Sequence, residues 1–536
     1  MEAALPFSVQ IFMEKSNKVF VREATGLTRS LSPFDSIAIN VESITIGTMF
    51  FGLVFIGTFF GTDISLGFLL ATALSLAFAL LYSTFSTLMP KTGGDYVWVS
   101  RIIHPSIGFA LNLYISLVVL SWPAISGGAV VPAFMSTGLT ATSIITGNSW
   151  YANLTSTLNQ PWVIYAVSAL PLVLLLGTKT SLKFIWAGFI AGALAVIITI
   201  GTFLFAGHST FISNYNAVSS VKYDAVITSA TAIGFAPSLT LLGVFAASVF
   251  ALFNSLGYNF TAYYVGEVQR PNRMRTQLIA QFGALLIFAL LGAVLYSSLY
   301  SFVGRDFVNS VLFLFNNSPS NYPLPFTYPL ASAYLAYATN IVYLPLFVNT
   351  LLAISYSLSS IAFAFVIVRN FFAWSFDRVL PMKLADIDQR GTPWCAILIA
   401  TVISEIYAVL FTYTPTSAYM AYEVTGFAIV WGVVAVAAIV FPYFRKEMFE
   451  SLPGAGKGRI LGTYKITIVG IIGVLASAIM IYASLSPSYV GALNPAYMAA
   501  MIGPLLAGIP IFFIAQYVRG KQGINIALAY KALPPE

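Results

Sequence analysis

Twelve stretches of about 20 apolar residues constrain this chain more than any other feature. They lie at 36–60, 64–88, 106–135, 161–178, 184–206, 238–265, 277–303, 338–370, 393–414, 417–443, 464–486 and 495–518. About 20 residues rising 1.5 Å each cross the roughly 30 Å of hydrocarbon in a bilayer. A water-soluble fold would need charge to cover itself. Only 8% of the residues are Asp, Glu, Lys or Arg, against roughly 25% in a soluble domain. The pattern predicts an all-α integral membrane protein with twelve transmembrane helices.

The cations give the direction. With the N-terminus inside, 23 of the 25 Lys and Arg fall in inner segments, and only Lys222 and Arg305 fall outside. Cytoplasmic loops are the ones that collect Lys and Arg. Both termini are therefore expected in the cytoplasm and the protein in the cell membrane. The net charge of +7 belongs to this asymmetry and to anionic lipid, not to nucleic acid. The first 30 residues carry Lys15, Lys18, Arg22 and Arg29 and no apolar core, so no cleavable signal peptide is expected. The longer outer segments, 136–160, 207–237 and 304–337, are rich in Ser, Thr, Asn and Pro and read as loops.

Several classes of function drop out. One cysteine, Cys395, and two histidines, His104 and His208, cannot build a metal centre or a disulfide framework. No Gly-x-x-x-x-Gly-Lys-Ser/Thr loop occurs, so the chain does not drive itself with ATP. Repeated filter segments, the mark of a channel, are absent from the sequence. No catalytic set is visible, and neither an enzyme activity nor a bound cofactor is expected. The sequence carries no signal for oligomeric state.

Two apolar stretches are polar in the middle. The first holds Glu42-Ser43-Ile44-Thr45-Ile46-Gly47-Thr48-Met49, and the sixth Phe253-Asn254-Ser255-Leu256-Gly257-Tyr258-Asn259. In a bilayer, broken backbone is tolerated where it lines a cavity. Stretches 1 and 6 correspond if 1–5 and 6–10 are two repeated units. Matched interruptions of this kind point to a transporter's binding site at the membrane midplane. Close helix packing through Gly and Ser is the competing explanation. Ionisable residues inside membrane stretches are costly and commonly functional. Here they are Glu42, Glu405 and Glu423, the last two expected to bond between helices. Asp35 sits where it could cap the first turn. Asp95 with Arg101, and Glu267 with Arg270 and Arg273, read either as solvated charges or as an ion-pair latch. His104 before Pro105 reads as a helix start and His208 as a loop residue.

Three motifs carry a resemblance. Met89-Pro90-Lys91-Thr92-Gly93-Gly94-Asp95-Tyr96-Val97-Trp98-Val99-Ser100-Arg101, then His104-Pro105 and Gly108-Phe109, follows stretch 2. Gly266-Glu267-Val268-Gln269-Arg270-Pro271-Asn272-Arg273 closes stretch 6. Arg369, Ala373, Asp377 and Pro381, four residues apart, then Gly391-Thr392-Pro393, close stretch 8. In this order the chain, from about 31 to 520, resembles the amino acid–polyamine–organocation (APC) permeases. The resemblance implies the leucine-transporter fold: a 5+5 inverted repeat plus two C-terminal helices. The expected organisation is a cytoplasmic segment 1–35, repeats 36–206 and 207–443, a final helix pair 444–518 and a cytoplasmic tail 519–536.

It also implies a function and a site. The expectation is a permease that moves amino acids or related amines by alternating access. Cation coupling is the first reading, with an uncoupled exchanger or a non-transporting sensor as alternatives. Unwound helices 1 and 6 would hold the substrate, with Gly47, Thr48 and Met49 toward its carboxylate. Ile44, Thr45, Phe253, Asn254 and Leu256 would face its ammonium, and Ser255 and Gly257 would lie where the second helix opens. In sodium-coupled relatives a cation sits between carbonyls three apart on helix 1 and adjacent hydroxyls on helix 8. Here these are residues 42 and 45 with Ser359 and Ser360, and Glu42 could instead carry a proton. The coupling ion is thus H⁺ or Na⁺. The chain departs from the family where helix 1 reads Ile46-Gly47-Thr48 rather than Gly-Ser-Gly. It departs again at Asn259, where members that bind cationic amino acids often carry an acid.

Overall fold

A computed structural model describes residues 29–51, 60–158, 161–415, 423–452, 454, 456–486 and 494–531. Lys15, Lys18 and Arg22, most of the segment 1–35, the end of stretch 1 and the last five residues lie outside the described residues. Among those described, nine helices are long and apolar enough to cross a membrane. They occupy the second, third, fifth and seventh to twelfth predicted stretches. Stretches 1 and 6 are interrupted, as their polar middles led one to expect, and stretch 4, expected as one helix, is divided.

In chain order, helix α1 is Pro33–Ile44, α2 Ile64–Leu88 and α3 Asp95–Ile102. Helix α4, Pro105–Ile125, runs through a wide turn at Ser126–Val130 into α5, Val131–Thr146. Then come α6 Trp162–Ser168, α7 Thr178–Ala206, α8 Leu241–Asn254 and α9 Met274–Val303. The last five are α10 Leu344–Phe376, α11 Trp394–Tyr413, α12 Glu423–Phe444, α13 Lys465–Leu485 and α14 Pro495–Lys521. Stretch 4 is the short α6 followed by a tighter turn of helix at Leu170–Leu176. Pro171 there has no N–H to continue an α-helical ladder.

Local sequence explains the starts. Ser32 caps α1: its hydroxyl accepts from Asp35 N at 3.1 Å, and the Asp35 carboxylate accepts from Ser32 N at 2.9 Å. Pro33 takes the first helical position, where no N–H is needed. His104 caps α4 through Nδ1, with Pro105 next. Segments 207–237 and 304–337 are not simple loops. They form helices His208–Val218, Tyr223–Ala232 and Arg305–Asn317 and the turn Ala331–Tyr337. His208 opens the first of these. Phe211, Tyr215, Tyr223, Phe302 and Phe307 pack ring against ring beneath them, with Tyr223 and Phe307 stacked at 4.7 Å. Aromatic area packs this cap, and Asn214, Asn216 and the Tyr223 hydroxyl add hydrogen bonds to its backbone.

Candidate functional site

Helix α1 stops at Ile44 because Thr45 takes a left-handed φ of 65°, a strained conformation for a β-branched residue. The backbone restarts as a tight helical turn at Ile46–Phe51. The sixth stretch breaks after Asn254, and Gly257 has φ 115°. It resumes as short turns at Phe260–Tyr263 and Val265–Glu267. The two breaks touch. A Cβ on Gly257 would lie 2.7 Å from Ser43 O and 3.1 Å from Ile44 N. Gly257 thus lets backbone meet backbone and does not border open space. Asn40 ties the pair: its Nδ2 donates to Tyr258 O at 2.7 Å and Thr261 Oγ1 at 2.8 Å, and its Oδ1 accepts from Tyr264 OH at 3.0 Å.

The residues expected to bind divide into two sets. Ile44 lies against Gly257, and Thr45 is the next residue, at the break itself. Gly47 turns away from it and faces two rings: a Cβ there would lie 2.8 Å from Tyr356 and 3.3 Å from Phe134. Thr48 bonds back to Thr45 O through both N–H and hydroxyl, and Met49 O accepts from Tyr296 OH. Asn254 and Ser255 bond back to Phe250 O and Leu252 O of their own helix. Leu256 N reaches Phe253 O at 3.4 Å. The side chain with unused capacity is Asn259, fully buried in the break with neither amide atom partnered. Such an orphan in a native core calls for a ligand or water.

The carboxyl of Glu42 is fully buried. Its Oε1 accepts from Ser355 Oγ at 3.2 Å, and its Oε2 has no partner. Ser355 lies one turn before Ser359 on α10, and its own sequence neighbours do not mark it out. Ser359 instead donates to Tyr356 O at 2.7 Å, and Ser360 Oγ is buried without a partner. The carbonyls of residues 42 and 45 accept from Thr45 Oγ1 and from Thr48. Hydroxyls of the chain itself therefore occupy the two carbonyls expected to face a sodium ion. Helix α7 closes over the carboxyl at Gly188, where a Cβ would come within 2.8 Å of Glu42 Oε2, and at Gly192, within 2.7 Å of Ser355 Oγ. Two glycines four apart on one helix face are the legible sign of this close approach.

A second carboxyl, Glu423 on α12, is equally buried. Its Oε2 accepts from Trp122 Nε1 on α4 at 3.0 Å, the interhelical bond expected, and its Oε1 has no partner. Glu405 on α11 is only half-buried.

The basic end of the bundle differs. Here the three sequence motifs interlock. Arg101 binds both oxygens of Asp377, at 2.8 and 2.6 Å, and Arg369 binds both of Glu267, at 2.7 and 3.0 Å. All four are buried. Asp95 does not pair with Arg101. It accepts from Tyr263 OH at 2.7 Å, Asn112 at 2.8 Å and Tyr82 OH at 3.2 Å. Six residues along a helix is about 240° of turn, so Asp95 and Arg101 leave α3 on different faces. Arg270 and Arg273 are exposed, and neither pairs with Glu267 among the described ion pairs. Gly93 allows the loop to approach α10: its φ is 106°, and a Cβ would lie 2.7 Å from Ala373 Cβ. Tyr530, from the chain's last described turn, caps the network. Its hydroxyl is 2.9 Å from that of Tyr96, which donates to Asp377 at 2.8 Å.

A family model described as amino acid permease matches residues 31–507. No curated protein matches the chain. The matched stretch contains both helix breaks, both buried carboxyls and all four residues of the two ion pairs. The chain is a multi-pass membrane protein and belongs to the amino acid permease family.

Proposed function

We propose that this protein is a secondary transporter that carries amino acids or related amines across the cell membrane by alternating access, driven by a proton gradient. The observation that carries the reading is the contact between two interrupted stretches, at Ser43–Ile44 and Gly257, with the orphan amide of Asn259 two residues on in the second and the unpartnered oxygen of Glu42 one residue before the contact in the first. Unwound backbone at such a contact offers N–H groups to a carboxylate and carbonyls to an ammonium. The three interrupted stretches count as spans in this reading. They bring the total to twelve in two inverted units of five plus a final pair, with both termini and the basic end in the cytoplasm. The buried ion pairs at that end then close the inner side, and their parting opens it.

Protons fit the coupling role better than sodium. Ser359 bonds to its own helix and the two helix-1 carbonyls already accept from Thr45 and Thr48, which leaves only Ser360 of the expected sodium shell without a partner, whereas Glu42 keeps an unpartnered oxygen in a buried site. A carboxyl can take a proton there without other ligands. Uptake of a panel of labelled amino acids into proteoliposomes, under separately imposed H⁺ and Na⁺ gradients, tests the reading. Accumulation is expected with H⁺ alone. Orientation is checked by single cysteines at Gly454 and Gly147 in a Cys395→Ala background. They should label from opposite sides, and labelling from one side would overturn the topology.

A further inference from the structure

Glu423 is not used by the coupling scheme above, and its surroundings are unusual for a buried acid. No Lys, Arg or His pairs with it among the described residues. Its one hydrogen bond comes from the Trp122 indole. That ring stacks on Phe260 at 6.2 Å and on Phe427 at 6.1 Å and meets the edge of Phe363 at 5.0 Å. The Tyr114 ring lies against Gly426, three residues on from Glu423, and its hydroxyl is buried without a partner.

The place is as informative as the chemistry. Phe260 is the first residue of the turn that follows the break in the sixth stretch. Trp122 therefore links Glu423 directly to the break in the sixth stretch. A carboxylate oxygen taken out of water and left unpaired is costly. Aromatic faces attract cations and offer nothing to an anion. An apolar substrate side chain would leave the oxygen unpaired, and an acidic one would be repelled. An ammonium or guanidinium would satisfy the oxygen and lie against the rings at once.

We propose that Glu423, with Trp122 and the phenyl rings around it, holds the far end of the substrate and selects a cationic side chain, ammonium or guanidinium. This rests on the transporter reading. It also divides the two buried carboxyls by role: Glu42 for the coupling proton, Glu423 for the substrate. Asn259, the position where the family's cation binders often carry an acid, need not supply the charge, because α12 supplies it.

The test is binding to the purified full-length protein, read by ligand-induced thermal shift and by competition. The probes are lysine, arginine and cadaverine, with norleucine and citrulline as neutral counterparts of similar length. The wild type should bind lysine over norleucine, and arginine over citrulline, by about tenfold or more. Glu423→Gln should bring each ratio to within about threefold while neutral ligands still bind. Equal or better binding of the neutral ligands by the wild type overturns the proposal, and that result needs no variant. So does a Glu423→Gln protein that keeps the cation preference. A Glu423→Gln protein that keeps the preference and loses gradient coupling would give Glu423 the proton instead, and also overturns it. If no amino acid or amine binds the wild type, the transporter reading itself fails. Trp122→Leu provides the second variant, and it should weaken lysine more than norleucine.

Discussion

The basic end and the middle of this molecule both bury charged side chains, but they treat them in opposite ways. Among the described residues of the basic end, the buried carboxylates have both oxygens engaged. Asp377 and Glu267 each take two bonds from an arginine, and Asp95 takes three from neutral donors. In the middle, Glu42 and Glu423 each have one bond from a neutral donor and one oxygen with nothing. A buried pair with both partners in place needs nothing further, and losing either partner strands the other. A buried acid without a cation is a place kept for an exchangeable one. In the proposed transporter, the basic end holds the inner side shut and the middle holds what is moved.

The comparison breaks most visibly if the arginines are removed. Arg369→Met strands Glu267 in a dry site. It should cost about 3–5 kcal/mol, read as a large fall in the unfolding midpoint of the purified protein. Adding Glu267→Leu should return most of that loss, because an apolar pair of similar volume has no charge to desolvate. If the double variant is as unstable as the single, the pair does more than cancel charge. Gly257→Ala comes next. It forces a left-handed φ on alanine and presses its methyl against Ser43 O, a cost of about 1–3 kcal/mol. Binding should fall with it, because the two breaks must part slightly. A variant with unchanged stability and binding would show that the contact is not tight. Tyr530→Phe is the mildest. It removes one hydroxyl from the Tyr96–Asp377 network, about 1 kcal/mol. A cysteine placed near the basic end should label faster, while ligand affinity stays the same.

Much of this was legible in the sequence. The apolar runs located α2, which spans Ile64–Leu88, to the residue, because lipid demands length and apolarity and nothing subtler. The breaks were legible as polar residues in mid-stretch. Their form was not. The positive φ of the first break sits at Thr45 rather than at the glycine two residues on, and Gly257 of the second meets the backbone of Ser43 and Ile44. Partners were the least legible. Arg101 seeks an acid 276 residues away rather than one six away, and Glu42 finds Ser355 rather than the adjacent serine pair. Sequence spacing fixes which residues share a helix face. Which face meets which depends on helix packing, and small residues such as Gly188 and Gly192 are its only local trace. The helical caps over segments 207–237 and 304–337 were hidden for another reason. Their Ser, Thr and Asn content suggests loops, while the packing comes from a few aromatic residues spread across three segments.

The central claim is that an unpartnered carboxyl in the middle of the bundle couples transport to protons. Glu42→Gln keeps the size and the bond to Ser355 but cannot exchange a proton. Vesicles containing wild type or variant are given the same pH gradient, and labelled substrate is followed both as net accumulation and as exchange against unlabelled substrate inside. The wild type should concentrate substrate. Glu42→Gln should only equilibrate it, while exchanging at close to the wild-type rate. Accumulation by Glu42→Gln equal to the wild type, or a wild type indifferent to the pH gradient, would contradict the account.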